Sequence, residues 1–253
     1  MSQKWTREMV SMKSEEAVSA HGIVGMVGAG LLAATLLAAC GPSDKQKAQW
    51  AEEKRIECLD KVCDGDVPPK VALDESVMKL NGQWFIAPRR YAMGFAGLSF
   101  YWPSKTPATG RADGQSYPER GQDFYDVGIE VFLSHHDGAM SGPSRYDHLR
   151  QAEAEGRLIS KEVPRPELEV WHTRETDGRG PGLWYVATQY IATDPNGAVL
   201  SCRSHDPKFD RCVTAFEWKP GIAADMRFRA KHAADWPEIY QETIRVLQLI
   251  KKA

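Results

Sequence analysis

The chain has no excess of positive charge. Its 32 Lys and Arg stand against 34 Asp and Glu, a net charge of −2 at pH 7. That excludes a chain-wide basic field of the kind that holds nucleic acid. There is no Gly-x-Ser-x-Gly elbow and no His-Glu-x-x-His. Cys-x-x-Cys is absent, which argues against a dithiol redox centre. The glycine-rich stretch 177–182 contains Pro181 and lacks the lysine of a phosphate-binding loop, so it reads as a turn. No nucleophile motif, metal motif or cofactor motif remains, and no small-molecule substrate is evident. The sequence points to a protein without catalysis and without cofactors.

Long hydrophobic runs are also scarce. There is one, from Gly22 to Ala39, and it stops at Cys40. Its roughly 18 residues match the minimum for spanning a bilayer. Gly22, Gly25, Gly28 and Gly30 weaken it as a permanent helix, each costing about 1 kcal/mol against Ala. An apolar core closed by the small residues Ala38 and Ala39 has the form of a secretory leader with its cleavage site. Leu37-Ala38-Ala39-Cys40 resembles the lipobox of bacterial lipoproteins. The resemblance implies signal-peptidase recognition of Leu37, Ala38 and Ala39, lipidation of Cys40 through its thiol, and cleavage before it. Palmitate-type chains would then anchor the protein in the membrane. One chain holds only marginally and two hold stably, at about 0.8 kcal/mol per buried CH2. Gly41 stands where an Asp favours inner-membrane retention in that family, so the expected location is the periplasmic face of the outer membrane.

These readings divide the chain into a leader (1–39), a lipidated tether (40–47) and a periplasmic domain (48–253). Strand-rich stretches on both sides of 140–157 leave room for two subdomains there. Four further cysteines, Cys58, Cys63, Cys202 and Cys212, would lie in an oxidising compartment, where an even number suggests disulfides. Three pairings are possible. The local pairs Cys58–Cys63 and Cys202–Cys212 are favoured, because the second closes an expected hairpin. Spacings of Cys-x4-Cys and Cys-x9-Cys do not suit zinc.

The domain opens with "DKQKAQWAEEKRIECLDKVC", a polar helical stretch with no Pro or Gly. Asn81-Gly82 marks a hairpin turn, followed by aromatic strand residues such as Trp84, Phe85, Phe100 and Tyr101. Residues 103–123 read as a long loop. "DVGIEVFLSHH" reads as a strand and "SRYDHLRQAEAEG" as a short helix ending near Gly156. Five stretches follow as strands, starting at Arg157, Gly182, Ala198, Cys212 and Met226, with turns at 176–182, 194–197 and 206–210. Short turns between consecutive strands predict an antiparallel meander. The closing "DWPEIYQETIRVLQLIKK" places Trp236, Ile239, Tyr240, Thr243, Val246, Leu247 and Ile250 on one helical face. Asp235 and Glu238 suggest a capping box, and Lys251 and Lys252 suit the helix's carboxyl end. The expected class is α+β: an antiparallel sheet meander with an N-terminal helix and a C-terminal amphipathic helix packed on it, the helices on one face.

Among polar residues, His135-His136-Asp137 is the most site-like cluster. Adjacent strand residues point to opposite faces, which argues against a shared site. His172 reads as a strand-surface residue and His205-Asp206 as a hairpin tip. Arg89, Arg90, Arg111, Glu119 and Arg120 ring the aromatic and loop region, a mixture found on protein-binding surfaces. "ECLDKVCDGDVPPK", "LNGQWFIAPRR" and the closing strand-then-helix, together with the lipobox, resemble the immunity lipoproteins paired with type VI secretion lipase effectors. That resemblance implies a toxic effector of the phospholipase class as the protein partner. An envelope-assembly lipoprotein is the alternative, and a periplasmic hydrolase a more distant one.

Overall fold

The computed structural model describes residues 43–94, 96–108, 124–136, 143–174, 181–203 and 210–253. Leu37, Ala38, Ala39 and Cys40 lie outside them. Trp50–Ala253 forms one compact unit. Among the described residues, no helix is long and apolar enough to cross a membrane.

The first helix, α1 (Asp44–Asp60), has no apolar face and buries no residue. It ends one turn short of the sequence expectation. Cys58 is joined to Cys63, and the Asp66 carboxylate accepts from the Cys63 N–H, so the chain turns there. The Asp60 carboxylate accepts the backbone N–H groups of both Asn81 and His135. The end of α1 is thereby fixed through two donors that are remote in sequence.

Strands β1 (Glu75–Leu80) and β2 (Gln83–Pro88) form a hairpin with Leu80 opposite Gln83. Its turn puts Asn81 at φ 47° and Gly82 at φ 71°. Both values are positive, as a type I′ two-residue hairpin turn demands, and Asn-Gly meets that at least cost. A last short strand, β12 (Lys251–Lys252), pairs with β2 and completes a three-stranded sheet. This corrects the expected role of Lys251 and Lys252. The helix before them ends at Leu247, and they extend a sheet edge instead of closing the helix.

The main sheet has nine strands in the order β3-β4-β5-β11-β10-β9-β8-β7-β6, all antiparallel. β3 (Ala92–Met93), β4 (Gly97–Tyr101) and β5 (Gly128–His135) run as one meander. The chain passes through α2 (Phe124–Val127) before β5, and after β5 through α3 (Arg145–Ala154) to the far edge. A second meander returns through β6 (Leu158–Arg165), β7 (Leu168–Arg174), β8 (Pro181–Ala187), β9 (Val199–Arg203), β10 (Arg211–Lys219) and β11 (Ile222–Arg229). β11 then pairs with β5, so one continuous sheet holds both meanders. The stretch 157–175, expected as one strand, is a hairpin that turns after Arg165. The strand beginning near Gly182 stops at Ala187, and Thr188–Tyr190 forms a 3-10 turn.

α4 (Trp236–Leu247) lies on one face of this sheet, with Pro237 in its first turn, where a missing N–H costs nothing. Its Trp236, Ile239, Tyr240, Val246 and Leu247 join Cys212, Phe216, Met226 and Phe228 of the sheet in the main core. Phe85 of the small sheet packs there as well, 5.6 Å from the ring of Trp218. Burying each large side chain contributes about 1.5–3 kcal/mol. The expected capping box does not form. Asp235 is the last residue of a 3-10 turn, its own side chain accepts from the Trp102 indole, and Glu238 accepts from Arg165. The real capping box is at α3, where Ser144 and Asp147 exchange bonds reciprocally. α3 sits on the opposite face of the sheet from α4. Its Leu149 packs with Trp171, Val186 and Val199, so the helices occupy both faces.

Candidate interaction face

Strand alternation sends odd and even residues of β5, β10 and β11 to different faces. Cys212, Phe216, Ala224, Met226, Val131 and Leu133 enter the core beneath α4. Their neighbours Val213, Ala215, Asp225, Arg227, Glu130 and Phe132 face the other way. α3 covers that second face only over β7, β8 and β9, through Trp171, Val186 and Val199. Over β10 and β11 it is open among the described residues: Val213 is 44% exposed, and Asp225 and Arg227 are exposed beside it.

Across the open part, Glu130, Arg227 and Val213 occupy one register row. The Glu130 side chain is only 12% exposed. It accepts from Arg227 Nε at 2.8 Å and Arg211 Nη1 at 3.3 Å. Arg227 also lies over the Phe132 ring, 4.2 Å from its centre. One buried acid thus holds two guanidinium groups in fixed positions on the face. Charge-assisted bonds of this kind are stronger than neutral ones and fix orientation.

In the next row, Phe132, Asp225 and Ala215 stand together. Arg145, the first residue of α3, donates to the Val213 carbonyl at 3.2 Å and lies in the electrostatic field of Asp225. Desolvation raises the Asp225 pKa above the usual carboxylate value, and attraction to Arg145 opposes the rise. Desolvation likewise lowers Arg145 from the ordinary arginine value.

Arg145 is held in place by the turn after β8. Asn196 accepts the Arg145 N–H and Pro195 the Tyr146 N–H. The same turn reaches the other face of the sheet: Asp194 accepts the Tyr240 hydroxyl of α4 and, through its other oxygen, the Gly197 N–H. Burial and the Asp194 carboxylate push the Tyr240 hydroxyl pKa well upward, so it stays a donor. A stretch that reads in sequence as an ordinary Asp-Pro-Asn-Gly turn is therefore the joint between the two helices.

A groove of about 710 Å³ runs beside α4, with Tyr190, Tyr240 and Ile244 among its lining and Lys105, Gln241 and Arg245 around it. Glu242 there is engaged by Arg245, which also donates to the Tyr91 hydroxyl. No nucleophile–base pair is among these groups. Against the expectation that no nucleophile motif is present, Ser76 and Lys79 have Ser-x-x-Lys spacing, but three residues apart on β1 they point to opposite faces. Lys79 is bound to Asp66 at 2.6 Å. Among the described residues, no group of His, Cys, Asp and Glu is arranged to hold a metal ion.

The sites read from sequence are scattered. Cys202 and Cys212 face each other in register on β9 and β10 and are joined, and Cys58 is joined to Cys63. His135 ends β5, His136 lies 3.5 Å from Glu217, and Asp137 is outside the described residues. His172 is on β7. Arg89 donates to the Glu75 carbonyl and Arg90 lies near the Tyr91 ring. Arg111, Glu119, Arg120, His205 and Asp206 lie outside the described residues. The open face itself was missed. Alternation in "CVTAFEWKP" and "MRFRAKH" carried the signal, since each strand places charged or small residues between core residues.

No family model matches the chain, and no curated protein matches it. Among solved structures it is similar to Smlt3025, an immunity protein of the Stenotrophomonas maltophilia type IV secretion system. The TM-score is 0.45 and the identity 15%, over 71% of this chain and 94% of that one.

Proposed function

We propose that this chain is a membrane-tethered periplasmic lipoprotein that binds and neutralises a toxic effector delivered by a secretion system. It acts by occupancy and performs no reaction of its own. The observation that carries the reading is the open half of the sheet face. An otherwise well-packed domain leaves apolar and charged side chains exposed together over β10 and β11, with the charges held in fixed positions. Interfaces combine apolar contact with oriented charge in this way, and arginine is enriched in them. The disulfides suit an oxidising compartment, and the lipobox resemblance supplies the tether at Cys40. The finer assignment, a phospholipase-class effector of a type VI system met at the outer membrane, rests on the sequence resemblance. The division into leader, tether and domain belongs to the same proposal.

The test is capture from envelope extract of the parent strain, with the full chain as bait, followed by co-expression with whatever protein is recovered. The expected result is a stoichiometric partner whose toxicity the chain relieves. Recovery of cell-wall or secretion-assembly components, with no toxicity to relieve, would replace the immunity reading with an envelope-assembly one. Hydrolytic turnover by the purified chain would replace both.

A further inference from the structure

Glu130 and Asp225 both stand on the open face, and the fold treats them differently. Glu130 is bonded to Arg227, which also lies over the Phe132 ring, so that acid is met within the sheet. Asp225 and Arg145 are arranged otherwise. Arg145 arrives from the start of α3, and Asn196 fixes its backbone. Among the described residues its guanidinium makes one hydrogen bond, to the Val213 carbonyl at 3.2 Å. A guanidinium donates from each of its nitrogens, so most of its capacity is unspent. Asp225 stands opposite Ala215 on β10 and Phe132 on β5, and points to the same face as Val213. Among the described residues its carboxylate accepts no hydrogen bond, although Arg145 is near enough to act on its ionisation. Unspent donors and unspent acceptors therefore border one strip of sheet without meeting. Exposed Val213 and the small Ala215 lie along that strip.

We infer that Arg145 and Asp225 together receive a neutral amide, the side chain of an Asn or Gln in an extended segment of the protein partner. Its carbonyl oxygen would accept from Arg145 and its NH2 group would donate to Asp225. An apolar residue two positions along the segment, on the same side of it, would lie on Val213. The inference rests on the binding function proposed above and deepens it by naming the chemistry of the partner. Charge complementarity selects the amide. A carboxylate brought to Arg145 meets the repulsion of Asp225, and an ammonium brought to Asp225 meets that of Arg145. Like charges placed together in this way suppress wrong partners at an interface. An amide carries a donor and an acceptor without net charge, so it satisfies both groups at once.

The test needs no identified partner. Three labelled peptides of one template, Gly-Leu-Ser-X-Ser-Val-Gly with X as Gln, Glu or Lys, are titrated with the full chain at physiological salt. Leu, X and Val share one side of the extended template. The expected result is saturable binding of the Gln peptide, about tenfold tighter than that of either charged peptide. Asp225→Asn removes the repulsion of a carboxylate and should strengthen binding of the Glu peptide about tenfold, so that the preference over it is lost. A merely structural role for Asp225 would weaken all three peptides alike. Asp225 is exposed, so the fold of that variant is expected to hold, as a thermal melt would confirm. Binding of no peptide, equal binding of all three, or a preference unchanged in Asp225→Asn overturns the inference. Tighter binding of the Glu or Lys peptide overturns it in favour of a charged partner segment. A dimer of the chain that excludes the peptides overturns it in favour of a second copy. Selective binding of the Gln peptide with no toxic partner in the capture experiment would leave this site standing and remove the immunity reading.

Discussion

The two faces of the nine-stranded sheet are built from the same strands and behave differently. Under α4, Cys212, Phe216, Met226 and Phe228 are almost wholly buried. One residue along each strand, Val213, Asp225 and Arg227 are exposed. The closed face supplies the stability, by removing large aromatic area from water. The open face tolerates charge because its one deeply placed acid, Glu130, is paired with two arginines. Burying an unpaired charge would cost several kcal/mol. A strand that alternates cleanly can thus serve a core and an interface together, provided the polar side is internally neutralised where it is buried.

The sharpest way to break the contrast is on the closed face. Trp236 is fully buried and donates its indole N–H to the Ala198 carbonyl. Trp236→Ala is expected to cost about 3–5 kcal/mol, read from denaturant unfolding. A loss near zero would mean that α4 contributes little to the core.

The joint between the faces comes next. A Cβ on Gly197 would stand 2.6 Å from the Tyr240 oxygen and closer still to the Asp194 carboxylate. Gly197→Ala should destabilise by about 1–3 kcal/mol through overpacking and loss of that bond. If the joint links the helices as described, Asp194→Asn should weaken the same unfolding transition, and an unchanged melt for both variants would refute the linkage.

On the open face the expectation reverses. Val213→Asp should leave stability within about 0.5 kcal/mol, as exposed substitutions do, while reducing capture of the partner by about tenfold or more. Unchanged capture together with an unchanged melt would remove the β10–β11 strip from the interface.

The smallest effect concerns Asp225. Its folded-state pKa is raised, chiefly by desolvation. The folded state therefore binds its proton more readily than the unfolded state. Stability from this group is greatest below the unfolded value and declines as pH rises from there through the folded value. Asp225→Asn should remove that decline, so that stability rises more steeply with pH across the acid range, and leave the neutral melting temperature equal or slightly higher. A lower neutral melting temperature would mean that attraction to Arg145 outweighs the desolvation.

Much of the fold was legible because it is recorded locally. Asn81-Gly82 specifies its turn through backbone sterics, and α4 shows its buried face at helical spacing. The alternating residues of β10 and β11 announce two faces. The capping box was legible in kind but assigned to the wrong helix. Ser144 has the extended backbone suited to a cap, whereas Asp235 ends a 3-10 turn without that conformation and its side chain is taken by the Trp102 indole.

By itself, the sequence determined which segments extend, where they turn, and which side of each strand and helix is apolar. Those properties depend on neighbours a few residues away. Only the tertiary structure decided that β11 returns to lie beside β5, that Asp194 ties α4 to the turn supporting α3, and that Glu130 holds arginines 81 and 97 residues further along the chain. Each is a contact between residues distant in sequence, set by how the two meanders share one sheet, and no local periodicity records such a pairing.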